Sequence, residues 1–151
     1  MIRVLVVDDS RTSREAIVTV LNSVPEIEVV GQAVDGVEGV ELAARLKPDV
    51  ITMDIMMPRM NGHEATKQIM DIIPTPIIVV TSVTRQEMIH QGLDILLAGA
   101  LDIVQKPSTL GIRDYRSISE ELIAKVKMAS QIKPLRQPKV QISEVWETSE
   151  I

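Results

Sequence analysis

The sequence predicts an α/β fold, a (βα)5 doubly wound parallel five-stranded sheet with helices on both faces. Short apolar runs recur along the chain, and helical patterns fill the gaps between them. Each run is rich in Val and Ile and bounded by Pro, Gly or Asp, which is typical of strands buried on both faces. The gaps are long enough for the crossovers that parallel strands require. The predicted strands are Ile2–Val7, Ile27–Ala33, Val50–Met53, Ile77–Val80 and Leu101–Val104.

In the gaps, apolar residues recur at helical spacing. Ile17, Val20, Leu21 and Val24 fall at i, i+3, i+4 and i+7, and Pro25 ends the pattern. The later stripes are Val37, Val40 and Ala44; Ala65, Ile69 and Ile73; Ile89, Leu93 and Leu96; and Ile118, Leu122, Val126 and Ala129. Four helix starts carry capping-box spacing, with a Glu three residues after a short polar residue. These pairs are Asp35 and Glu38, Asn61 and Glu64, Thr84 and Glu87, and Ser117 and Glu120.

Composition excludes several classes of function. The absence of Cys rules out disulfides, thiol catalysis and Cys-ligated metals. The net charge of -5 argues against binding to nucleic acid or to an anionic membrane, because both require an excess of basic residues. The apolar runs are too short for a membrane span, and the N-terminus lacks the pattern of a signal peptide. We therefore expect a cytoplasmic protein that is a monomer or weak dimer, with an aliphatic core because Phe is absent.

The regular alternation ends before Lys133. We expect residues 1–131 to form one domain and residues 132–151 to form a linker and an extended tail. The segment Lys133–Pro138 contains two prolines and two basic residues, and we interpret it as the linker.

Polar residues follow four of the predicted strands. Asp8 and Asp9 follow the first strand, Asp54 the third, Thr81 the fourth, and Lys106 the fifth. Ligands of open α/β sheets bind at the carboxyl ends of the strands, so we expect these side chains to converge.

Three neighbouring carboxylates favour a hard divalent cation, because like charges otherwise disfavour ionisation. No His or Cys stands at these strand ends, which argues against zinc. An isolated Asp pair is usually part of a solvated turn. Asp54, however, lies between the apolar segments Val50–Met53 and Ile55–Met57, where burial of an acid is unfavourable and therefore indicates a functional role. Lys106 is either a surface lysine or a charge that neutralises a phosphoryl oxygen. Thr81 is either a strand-end hydroxyl or a donor to the same group.

With these residues in place, the chain resembles the receiver domain of two-component response regulators over roughly residues 1–130. It is more closely similar to the N-terminal regulatory domain of the chemotaxis protein-glutamate methylesterases. The segments that carry the general resemblance are Val4–Ser10, Pro48–Asp54, Met57–Gly62, Ile78–Ser82 and Val104–Pro107. The closer similarity lies in Pro25–Gly31, Asp49–Ile55, Met57–Gly62 and Pro74–Pro76.

The resemblance implies a flavodoxin-like (CheY-like) fold with strand order 2-1-3-4-5. It also implies that Asp54 accepts a phosphoryl group from a sensor histidine kinase, and that Thr81 and Lys106 bind the phosphoryl oxygens. Mg²⁺ would be held by Asp8, Asp9, Asp54 and the backbone carbonyl of Met56. The domain would act as a switch for an output domain or protein whose identity is unknown.

Two positions depart from the family pattern. Ile103 stands where the family usually carries an aromatic switch residue. Met56 stands where the closer relatives usually carry an acid, and we expect its apolar side chain to hinder the water that hydrolyses the phosphoryl group.

The resemblance also bears on catalysis. The methylesterases carry their Ser, His and Asp catalytic residues in a C-terminal domain that this sequence does not supply, so we expect no enzyme activity. The chain is then either the regulatory domain of a methylesterase or a stand-alone receiver. The remaining alternative is a Mg²⁺-dependent aspartyl phosphohydrolase, but these enzymes generally have an acid two residues after the nucleophile, where Met56 lies.

Overall fold

A computed structural model describes residues 1–82, 93–107 and 112–132 and confirms the predicted (βα)5 alternation. Its five parallel strands have the order β2-β1-β3-β4-β5, as the resemblance implies. The first three strands have the predicted bounds, β4 is one residue longer, and β5 is shifted by one residue. The strands are β1 Ile2–Val7, β2 Ile27–Ala33, β3 Val50–Met53, β4 Ile77–Thr81 and β5 Asp102–Gln105.

The helices are α1 Arg11–Asn22, α2 Gly36–Leu46, α3 Gly62–Ile72, α4 Leu93–Leu97 and α5 Ile112–Ala129. Two predicted N-caps are confirmed: the side chain of Asp35 accepts from the Glu38 amide, and that of Asn61 from the Glu64 amide, each at 2.9 Å. No helix in the described segments is long and apolar enough to cross a bilayer.

The predicted cap at Ser117 is wrong, because Ser117 lies inside α5. Serine lowers the stability of a helix only slightly, so a Ser followed three residues later by a Glu also occurs within helices and does not by itself mark a helix start. The predicted cap at Thr84, the stripe residue Ile89 and the tail after residue 132 lie outside the described residues.

The core has two layers, because alternate residues of each strand face opposite sides of the sheet. Val4 and Val6 pack with α1 and α5, whereas Leu5 and Val7 pack with α2, α3 and α4. The fully buried side chains of greatest volume are aliphatic or Met, which confirms the expected aliphatic core. With both faces covered, the ends of the strands are where polar side chains can gather.

Gly62 begins α3 at a point where two main-chain segments meet closely. Its amide donates to the carbonyl of Ile55 at 2.8 Å, and a Cβ at this position would overlap the main-chain oxygen of Asp54. The turn after β3 therefore requires a residue without a side chain.

We expect Gly62→Ala to lower the free energy of unfolding by about 2–3 kcal/mol, because backbone atoms cannot move aside as a side chain can. Gly39→Ala is the matched control: its Cβ would lie 3.0 Å from a methyl group of Val7, and alanine favours the helix by about 1 kcal/mol. Urea unfolding of both variants measures the difference. Equal losses of stability would contradict this account of Gly62.

Candidate functional site

The predicted site residues lie at the carboxyl edge of the sheet. The register pairs Val7 with Met53 and Thr81 with Gln105, so the residues that follow β1 and β3, and those that end β4 and β5, lie level with their neighbours. The main chain continues this alignment, since the Asp54 amide donates to the carbonyl of Val7 at 3.0 Å. Side chains far apart in the sequence are thereby brought to one place.

Lys106 joins two of the predicted acids. Its ammonium lies 2.9 Å from Oδ2 of Asp54 and 3.0 Å from Oδ2 of Asp8. All three side chains are almost completely buried, so these charges interact with little screening by solvent. The burial of Lys106 excludes the alternative of a surface lysine.

Backbone amides fix the other oxygen of each buried acid. Oδ1 of Asp54 accepts from the amide of Ile55 at 2.8 Å, and Oδ1 of Asp8 accepts from the amide of Ser10 at 2.9 Å. These bonds orient both carboxylates so that their Oδ2 atoms face Lys106.

Thr81 ends β4 with its side chain buried. Its carbonyl accepts from the amide of Lys106 at 3.0 Å, which holds the ends of β4 and β5 together. Met56 lies two residues after Asp54 in the loop between β3 and α3, and its side chain is exposed. A contact of its carbonyl with a metal ion stays a prediction.

The acids form a group that can hold a cation. Asp8, Asp9 and Asp54 each offer a carboxylate oxygen, and these atoms lie within 4.8 Å of one another. Oδ2 of Asp8 is buried, and the Lys106 ammonium that it contacts at 3.0 Å is shared with Oδ2 of Asp54. Asp9 is exposed, which leaves the group open to solvent on one side. An all-oxygen group of this kind fits Mg²⁺.

The pKa shifts of Asp54 and Lys106 also favour a bound cation. Burial raises the pKa of Asp54 above its usual value, the charge of Asp8 adds to the increase, and the hydrogen bond and charge of Lys106 oppose it. Burial alone would lower the pKa of Lys106, but its contacts with Asp54 and Asp8 outweigh that effect and raise the pKa. The ammonium therefore does not fully offset the cost of burying the Asp54 carboxylate beside Asp8, and a divalent cation would.

Two contacts at this edge are not predicted by the sequence patterns. The guanidinium of Arg14 donates to the main-chain carbonyl of Asp8 at 2.8 Å, and Oγ of Ser10 caps α1 by accepting from the Ser13 amide at 3.3 Å. The Ser10 cap had a signal, since serine is a preferred N-cap residue, but no Glu stands three residues later. The Arg14 contact had none, because it depends on how the helix is oriented against the strand.

The profile of the response regulator receiver domain matches residues 4–112. The chain belongs to this family. Its relatives include the protein-glutamate methylesterase/protein-glutamine glutaminase of Pyrococcus abyssi, 43% identical over 131 residues that cover 87% of this chain and 35% of that protein. The enzyme of Methanococcus maripaludis is 48% identical over 134 residues, with 87% and 36% covered. The receiver chain thus spans little more than a third of the length of these relatives.

A solved structure extends the comparison. The response regulator domain of Thermotoga maritima CheB is 44% identical and superimposes with a TM-score of 0.79. The match covers 89% of this chain and 99% of that domain. The resemblance inferred from the sequence motifs is confirmed: this receiver domain is homologous to the response regulator domain of CheB.

The raised pKa of Asp54 predicts how the stability of the metal-free protein depends on pH. The folded state binds the proton of Asp54 more tightly than the unfolded state does. This group's contribution to stability is therefore greatest at low pH, and it is lost as the pH rises from the ordinary carboxyl range through the raised folded pKa.

We expect Asp54→Asn to remove this loss, so that the variant gains stability relative to the wild type as the pH rises. Urea unfolding at steps between about pH 4 and pH 8, with a chelator present, measures the difference. A difference that stays constant across this range would contradict the role assigned to Asp54.

Proposed function

We propose that this receiver domain accepts a phosphoryl group on Asp54 from a sensor histidine kinase and acts as a phosphorylation-dependent switch. The observation that carries the proposal is the buried Lys106 ammonium, which lies within 3.0 Å of both Asp8 and Asp54. Phosphoryl transfer requires positioning and neutralisation of charge, and little other chemistry. A lysine held beside an acid nucleophile provides both.

In the proposed step, a carboxylate oxygen of Asp54 forms a bond to phosphorus while the bond between phosphorus and the kinase histidine nitrogen breaks. That nitrogen takes up a proton, and Asp54 becomes an acyl phosphate. Lys106 then moves its contact from the Asp54 carboxylate to a phosphoryl oxygen, and the hydroxyl of Thr81 donates to another. Both residues are held at neighbouring strand ends by their shared main-chain hydrogen bond.

The cofactor in this proposal is Mg²⁺. Asp8, Asp9, Asp54 and the main-chain carbonyl of Met56 would hold it, and when bound it would neutralise charge on the transferring group. The carboxylate oxygens of Asp8, Asp9 and Asp54 lie within 4.8 Å of one another, and Asp8 and Asp54 share one ammonium, which supports this assignment.

The similarity to CheB supports a chemotaxis-related function, with the domain regulating a methylesterase. The receiver itself would be no enzyme beyond accepting the phosphoryl group. We also propose a cytoplasmic location, since the ATP that supplies a histidine kinase is found there, and a monomer or weak dimer as its form. A stand-alone receiver in another phosphorelay is the alternative.

Incubation with acetyl phosphate and Mg²⁺, followed by intact-mass measurement, tests the proposal. We expect one added phosphoryl group per chain, no addition to Asp54→Asn, and none when a chelator replaces Mg²⁺. Lys127→Ala is the control for removal of a charged side chain away from the site, because its ion pair with Glu26 lies at the opposite edge of the sheet, and we expect this variant to be phosphorylated normally.

Absence of the added group from the wild type contradicts the proposal. Release of phosphate over many turnovers would instead favour the phosphohydrolase, and the same samples can be assayed for it.

Met56 is expected to set the lifetime of the phosphorylated state. Its side chain is 59% exposed and lies two residues from Asp54, and we propose that it hinders the approach of the attacking water. We expect Met56→Glu to hydrolyse the phosphoryl group several-fold faster, because a carboxylate can orient that water. Met128→Glu, at a comparably exposed methionine in α5, should leave the lifetime unchanged. Equal lifetimes in the wild type and Met56→Glu would refute this expectation.

A further inference from the structure

The loop between β3 and α3, residues 54–61, is tied to the N-terminus of α2 by two adjacent contacts. Nε of Arg59 donates to Oδ2 of Asp35 at 2.7 Å, and the amide of Gly36 donates to the carbonyl of Met60 at 3.0 Å. A Cβ on Gly36 would overlap that carbonyl, so the two segments meet at backbone distance. This loop is the segment that begins with Asp54 and contains Met56.

Arg59 adopts a backbone conformation that arginine rarely takes. Its φ is 64°, in the left-handed region, which is unfavourable for a residue with a side chain. Such a conformation persists only where surrounding contacts stabilise it, and the ion pair of Arg59 with Asp35 is one such contact.

Asp35 is well suited to anchor the loop. Its side chain is 7% exposed, and both of its oxygens are used: Oδ1 accepts from the Glu38 amide at 2.9 Å and Oδ2 accepts from Arg59. The hydrogen bond from Arg59 lowers the pKa of Asp35, and the amide of Glu38 adds to the decrease, so the carboxylate stays charged at neutral pH. Asp35 is also the N-cap residue of α2, which fixes its position relative to that helix.

The other end of the loop is closed by the hydrogen bond from the Gly62 amide to the carbonyl of Ile55. Met56 therefore lies between two fixed points, Ile55 on one side and Arg59 on the other. Releasing Arg59 would remove one of the two contacts that tie this end of the loop to α2 and leave only the main-chain hydrogen bond between Gly36 and Met60.

We infer that Arg59 is a positioning residue, whose ion pair with Asp35 holds the loop between β3 and α3 so that the carbonyl of Met56 can serve the cation site. The inference rests on the proposed function, because it concerns the same Mg²⁺. Arg59 need not touch the metal or the phosphoryl group. It acts through the conformation of the loop.

The sign of the effect separates positioning from simple electrostatics. Removing Arg59 removes a positive charge near an acidic site, so by Coulomb's law alone Mg²⁺ would bind more tightly. If the ion pair positions the loop, its loss would weaken Mg²⁺ binding. The exposed guanidinium also contributes little to overall stability, so the variant is expected to remain folded.

Calorimetric titration of the full chain with MgCl₂ tests the inference. We compare the wild type with Arg59→Ala, Asp35→Asn and the double variant; Asn is also a good N-cap, so α2 keeps its first turn. We expect each single change to weaken Mg²⁺ binding about fivefold. Because the two residues act as one unit, the double variant should bind Mg²⁺ no more weakly than the single variant with the lower affinity. Arg59→Lys retains the charge and should recover part of the affinity.

Lys127→Ala is the matched control, since it breaks another surface ion pair with a 2.9 Å contact, at the far edge of the sheet. It should bind Mg²⁺ as the wild type does. Arg59→Ala binding Mg²⁺ as tightly as the wild type, or more tightly, overturns the inference and leaves the proposed function intact. A wild type that neither binds Mg²⁺ nor accepts a phosphoryl group overturns the proposed function itself, and the inference with it.

Discussion

The buried ammonium of Lys106 between Asp8 and Asp54 is the interaction on which the site depends. Asp8, Asp54 and Lys106 each directly follow a strand, and the ammonium lies within 3.0 Å of both carboxylates at the carboxyl edge of the sheet. Such a group keeps its geometry only when its supports are rigid, because each charge would otherwise turn toward water. The parallel register and the hydrogen bonds from main-chain amides to both carboxylates provide that rigidity.

The same group is a source of instability. Burial and the nearby charge of Asp8 raise the pKa of Asp54, so the folded protein favours its protonated form more than the unfolded chain does. A core built only for stability would not place an acid there. The aliphatic packing on both faces of the sheet offsets this cost, and the arrangement becomes reasonable if the acids exist to receive a cation and a phosphoryl group.

The sequence predicted the strands and the meeting of Asp8, Asp54 and Lys106, because the carboxyl ends of parallel strands share one edge. That inference needs only the alternation of elements and the residue that follows each strand. The ion pair of Arg59 with Asp35 was not predictable in this way. It joins residues 24 positions apart through a left-handed turn, and neither the spacing nor the residue types indicate that the two side chains meet.

The central claim is that the acidic group is a site for a single divalent cation, and its linkage to folding tests this most directly. The free energy of unfolding is measured over a series of MgCl₂ concentrations, with NaCl of matched ionic strength as the reference. One bound ion predicts a gain that approaches about 1.4 kcal/mol per tenfold increase in Mg²⁺ above its dissociation constant. Stability that is the same in MgCl₂ and in the matched NaCl would contradict the claim.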